Sequence, residues 1–153
     1  MVDLQIKGAD QLGALAKALR QAGDKELQKE LYAGLNRATK PLRQAAKESA
    51  ERNLPQRGGL NKRVAKARMS TRRSAGRNPG VRIVAKGLDQ LSRMDAKGEV
   101  KHPTYGRRDR WVTQEIREAQ GWFSDPMKAG APAVRRELIK TLDKVARKVA
   151  RKY

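Results

Sequence analysis

The sequence predicts an α+β fold: a small, mostly antiparallel sheet packed against a long helix and a C-terminal helix. Three observations carry this. Val2-Asp3-Leu4-Gln5-Ile6-Lys7 alternates apolar and polar residues, the pattern of a half-buried strand. Leu27, Leu31, Leu35, Ala38, Leu42, Ala45 and Ser49 form a stripe about 80° wide at about 100° per residue, a long amphipathic helix. Val81, Ile83 and Ala85 alternate like a second strand. The 153 residues fit one domain spanning 1–153.

Taken in order, Gly8 ends the first strand and Asp10 stands where an N-cap opens a short helix. Leu12, Leu15, Ala16 and Leu19 give that helix one apolar face, and Gly23 punctuates it. The long helix runs from about Asp24 to Arg52, and Pro41 inside it predicts a kink or a split into two helices. The segment from Leu54 to Leu60 breaks it. Residues 62–86 read as a basic hairpin, with Val64 to Met69 as a weaker strand and Thr71 to Gly80 as a mobile tip. Leu88 to Glu99 shows no period. Residues 101–131 read as an irregular, aromatic segment rich in Gly and Pro. A helix over 132–152 then starts at Pro132, with Val134, Leu138, Leu142, Val145 and Val149 as its apolar stripe.

Composition narrows the chemistry. Apolar residues make up 38% and aromatics 4%, so the core must be largely aliphatic. Lys and Arg number 36 against 16 Asp and Glu, a formal charge of +20. That exceeds the magnitude of about 2–8 usual for a small domain and points to acidic or polyanionic partners. Eleven of the basic residues lie between Arg52 and Lys86, where there is no acid at all. With no Cys and one His, a disulfide framework, a thiol nucleophile and a two-His metal site are excluded. No apolar run approaches the length of a membrane span, and no signal-peptide core is visible.

Catalytic constellations are thin. Asp95 followed by Glu99-Val100-Lys101 has the form of a metal-dependent nuclease site, in which two carboxylates hold Mg²⁺ and the lysine orients water. Its spacing is short and Gly98 interrupts it. His102 has no Ser or Asp in a nucleophile context around it and reads as a turn residue before Pro103. No enzyme activity, cofactor or metal is therefore expected. Tyr105, Trp111, Trp122 and Phe123 fall together on a chain otherwise poor in aromatics. With Pro126 they are the candidate interface anchors, since interfaces favour such residues. Lys62, Arg63, Lys66, Arg68, Arg72, Arg73, Arg77 and Arg82 are the candidates for contact with an acidic partner or with phosphate.

The order of these features has a precedent. A strand, Gly8 and Asp10, two helices and Pro55-Gln56-Arg57-Gly58-Gly59-Leu60 are followed by a basic hairpin. Then come His102-Pro103-Thr104-Tyr105-Gly106, Trp111-Val112-Thr113-Gln114 and Gly121-Trp122-Phe123-Ser124-Asp125-Pro126. Over nearly its whole length the chain resembles the head–tail connector (neck, tail-completion) family of long-tailed double-stranded DNA phages, in the version carried by phages of actinobacteria. The resemblance implies a structural virion protein, assembled in the host cytoplasm as a ring that joins the DNA-filled head to the tail. Its partners would be copies of itself, an adaptor or stopper on the head side and the tail tube or terminator on the tail side. Contact with the genome would be transient, and no membrane is involved. A tail terminator ring of the same particle and a nonspecific nucleic-acid-binding protein are the alternatives. The positions carried over are Gly8, Pro55, Gly59, Leu60, His102, Pro103, Gly106, Trp111, Gly121, Trp122, Phe123 and Pro126, which set shape rather than chemistry. Within such a ring, most arginines of the basic hairpin are expected to face neighbouring proteins rather than the DNA channel.

Overall fold

Leucine at every fourth position from 27 to 35 commits the first half of the chain to helix before any tertiary contact is considered. The computed structural model describes residues 2–5, 10–74, 80–85 and 91–152. Strand β1 (Val2–Gln5) is followed by α1 (Asp10–Gln21) and α2 (Lys25–Asn53). Asp24 caps α2 by accepting the Leu27 N–H at 3.1 Å. The expected stripe is buried, with two adjustments: Ala45 is only half-buried, and Ala46 and Ala50 take inner positions beside it. Pro41 neither splits nor ends the helix, which continues unbroken to Asn53. The proline is exposed beside a groove between α2 and α5, and Arg37, whose carbonyl loses its helical donor, is exposed as well.

Helix α3 (Leu60–Lys66) follows, where a weak strand was expected. Leu60 and Val64 are one turn apart and both pack on the core, so the helical period wins over the apparent alternation. Strands β2 (Met69–Ser74) and β3 (Gly80–Ala85) then form the expected hairpin. Its strands reach further than expected: Thr71 to Ser74 are part of β2, and the rest of the expected mobile tip, residues 75–79, lies outside the described residues. The sheet is antiparallel in the order β1-β3-β2, with Leu4 and Thr71 opposite Ile83. Thr71 fixes it to α2, accepting from Arg43 at 2.6 Å and lying 2.8 Å from the Thr39 hydroxyl.

The remainder is α4 (Leu91–Lys97), β4 (Glu99–Thr104), β5 (Arg107–Glu115), a single 3₁₀ turn at Arg117–Ala119 and α5 (Ser124–Lys152). Two expectations change here. The stretch 101–131 is not irregular: it holds a second, two-stranded sheet of β4 and β5 and the first turns of α5. The terminal helix starts at Ser124, so Pro132 lies inside it, exposed, rather than at its first turn.

Helix α5 packs chiefly along α2. The two run antiparallel, because Lys152 reaches Asp24 at 2.7 Å while Gly130 meets Leu42 at the other end. Glycine is needed at the closest approaches: a Cβ on Gly34 would overlap Thr141, and one on Gly130 would overlap Leu42. Leu27, Leu31, Leu35 and Leu42 from α2 and Val134, Leu138 and Val145 from α5 fill the space between. The architecture is α+β, with the three-stranded sheet built as expected from the N-terminal strand and the basic hairpin. Among the described residues no helix is long and apolar enough to cross a membrane.

Candidate assembly surface

The β4–β5 ribbon stands away from the body. All nine residues of β5 are exposed, and the ribbon's contacts are largely internal. Its turn is Tyr105-Gly106, both with positive φ (50° and 75°), the geometry that matches strand twist in a two-residue hairpin. The pairing then slips. Thr104 lies opposite Arg107, but Pro103 lies opposite Trp111, so Arg108, Asp109 and Arg110 bulge out of β5. The Trp111 indole N–H donates to the Arg108 carbonyl at 2.9 Å and closes this bulge. Tyr105 is 98% exposed and Trp111 56% exposed, and Val112 is also exposed. A two-stranded ribbon carrying such side chains in water is marginal by itself, and covering them with another surface would stabilise it.

The base of the ribbon is rigid by contrast. The Ile116 N–H donates to the Gly98 carbonyl, and Gly98 has φ +63° with the Ile116 carbonyl 3.0 Å from where a Cβ would sit. Glu99 pairs with Arg93 at 2.8 Å. Just beyond, the buried Asp95 carboxylate accepts the backbone N–H groups of Phe123 at 2.8 Å and Ser124 at 2.9 Å, and the Ser124 hydroxyl as well. It thus caps α5 from another helix, where a negative charge also suits the helix dipole.

The candidate residues therefore part company. Tyr105 and Trp111 lie on the ribbon's surface. Trp122 and Phe123 are fully buried core residues, packed edge to face at 5.5 Å, with the Trp122 indole donating to the Leu91 carbonyl at 3.4 Å. As interface anchors these two are wrong: α4 holds both in the core, Asp95 through the Phe123 N–H and the Leu91 carbonyl through the Trp122 indole. Pro126 is half-buried and lines a shallow groove of small residues between α2 and α5.

The basic candidates also divide. Lys62, Arg63 and Lys66 are exposed on α3, Arg68 is exposed just after it, and Arg72 is exposed on β2. Arg73 and Arg82 belong to β2 and β3, but their side chains lie outside the described residues, as does the whole of Arg77. Arg72 and Arg82 are directly opposite each other in register.

Of the nuclease-like set, Asp95 and Glu99 are engaged as cap and ion pair, and among the described residues no cluster of three His, Asp or Glu could hold a metal. His102 is exposed on β4, its Nδ1 lying 3.2 Å from the Pro103 carbonyl oxygen.

Opposite the apolar stripe of α5, helical periodicity sets a second cationic surface. On α5, Arg136, Lys140, Lys144, Arg147 and Arg151 fall within about 80° and span about 22 Å at about 1.5 Å per residue. Lys144 and Lys148 turn part of this charge inward onto Glu30, at 3.1 and 2.5 Å. The hydrogen bonds from Lys148 and Lys144 hold the Glu30 carboxyl below its ordinary pKa. No family model, curated protein or solved structure matches this chain.

Proposed function

We propose that this chain is a structural component of the neck of a long-tailed double-stranded DNA phage, assembling as a ring that joins the filled head to the tail. The exposed β4–β5 ribbon carries the proposal. A two-stranded arm with Tyr105 at its tip and Trp111 on one face is built to be covered by another subunit. The rigid base of the arm and the long α2–α5 pair supply a stiff body for it to project from. The exposed basic residues of α3, with Arg68 and Arg72 after it, suit acidic faces of adjacent virion proteins. A terminator ring at the head end of the tail tube uses the same features and differs only in its layer.

The test is to locate the protein in virions of the phage that encodes it. Antibody against the chain is expected to label the head–tail junction. A Trp111→Ala, Tyr105→Ala variant is expected to leave filled heads and tails unjoined. Absence of the chain from purified virions, or normal joining by the variant, would overturn the reading.

A second reading, nonspecific nucleic-acid binding, is favoured by one observation, the cationic ridge of α5. It requires duplex DNA affinity that falls steeply with salt and weakens when Arg136, Arg147 and Arg151 are replaced by glutamine. Binding that is weak at physiological salt would exclude it.

A further inference from the structure

A groove of about 730 Å³ lies where the base of the ribbon meets the turn after α2 and the start of α3. Its floor is apolar: Leu60, Val100 and Ile116 line it and are only partly covered by the core behind them. Val100 pairs with Gln114 and His102 with Val112, so these four share the face of the ribbon opposite Trp111. The exposed Val112 lies on this same face, beyond the groove.

One rim of the groove is cationic. Arg52, Arg57 and Arg63 line it, all exposed, and none has a carboxylate partner among the described residues. On the other rim Glu115 is occupied by Arg117 at 3.3 Å, and Glu118 stands beside it. From this juxtaposition we infer that the groove is a docking site for a short acidic segment of a partner protein, carrying apolar anchor residues.

Charge selects that occupant. The ribbon tip of a second copy is arginine-rich, with Arg107, Arg108 and Arg110, and the three rim arginines repel it from this groove. Free phosphate would satisfy the arginines and leave the floor wet. A DNA duplex is too wide to enter a groove of this size, and its backbone offers the floor nothing apolar. A segment with carboxylates facing Arg52, Arg57 and Arg63, and one or two large apolar side chains on Leu60, Val100 and Ile116, satisfies both surfaces at once. Glu118 on the far rim sets its orientation, repelling the acidic side. The inference does not depend on the ring reading, since the site and its probe need no particle.

The probe is a displayed library of random dodecapeptides selected on the full chain. Peptides with two or more carboxylates and at least one large aliphatic or aromatic residue are expected to be enriched. A synthetic copy of an enriched peptide should bind the parent and an Arg136→Glu control on α5 equally. It should bind an Arg57→Glu, Arg63→Glu protein at least tenfold more weakly. Changing its apolar residue to serine should cost a similar factor. Both arginines are exposed, so the variant should melt with the parent; Arg57→Gln, Arg63→Gln is the milder replacement if it does not. Failure to enrich such peptides, equal loss in the Arg136→Glu control, or an indifferent serine change overturns the inference. So does displacement of the peptide by a 20-base-pair DNA duplex, which would make the groove part of a general polyanion surface.

Discussion

Asp95 and Ser124 are 29 residues apart, yet one carboxylate of α4 supplies the cap of α5 through the Ser124 N–H and hydroxyl. Local sequence around Ser124 contains no sign of this, and without it the first turn of α5 would leave buried donors unpaired. Replacing Asp95 by alanine is expected to cost about 2–3 kcal/mol, a cap plus an orphaned buried N–H. Urea unfolding measures it. A loss under about 0.5 kcal/mol would mean that the cap is dispensable.

Trp111 and Trp122 should behave as opposites. Trp122→Ala empties a fully buried site and is expected to destabilise the fold by about 3–5 kcal/mol. Trp111→Ala removes an exposed side chain and one hydrogen bond, and should cost about 1 kcal/mol or less. Its effect belongs in association, at least about tenfold if Trp111 is an anchor. Thermal melts of the two variants, read beside sedimentation of the parent and variant proteins, separate the roles.

Gly130→Ala sets two effects against each other. Alanine in a helix interior gains up to about 1 kcal/mol over glycine. The added Cβ would overlap the end of the Leu42 side chain, which is only 2% exposed and must shift from its packed position. Overpacking typically costs about 1–3 kcal/mol, so net destabilisation is expected. A Leu42→Ala background should relieve it, and a double-mutant cycle in urea checks the coupling.

Glu30 gives the α2–α5 contact a pH dependence. Lys148 and Lys144 lower its folded-state pKa, so its contribution is present above the unfolded value and lost as pH falls through the folded one. At neutral pH, Glu30→Gln should be less stable than the parent by about 1 kcal/mol or less. Well below the ordinary glutamate value of about 4.3 the two should converge. A gap that persists in acid would assign the effect to packing.

What could be read from sequence was set by local periodicity. The α2 stripe, the Gly23 break and the alternation of β1 and β3 all follow from patterns a few residues long. The errors came where a distant partner decides. Gly130 and Pro132 together imitate a helix start, but the Asp95 cap lets α5 begin at Ser124 and run through both. Trp122 and Phe123 sit beside Gly121 and Pro126, which reads as loop, yet α4 draws them into the core. Tyr105 and Trp111 were legible as surface candidates because their ribbon has little beyond itself to pack on. The groove below the ribbon was not legible, since Val100 and Ile116 of its floor lie at least 37 residues along the chain from its rim arginines Arg52, Arg57 and Arg63.

The rigid base of the ribbon has a mechanical consequence. A load applied at Tyr105 passes down two paired strands to the Gly98–Ile116 bond, and from there into Asp95 and the first turn of α5. Helix α5 is 29 residues long, about 43 Å at about 1.5 Å per residue, and its far end is tied to Asp24 through Lys152. The ribbon and helix thus form a lever pivoting on α4. The leucine-filled seam between α2 and α5 resists shear along the length of that lever.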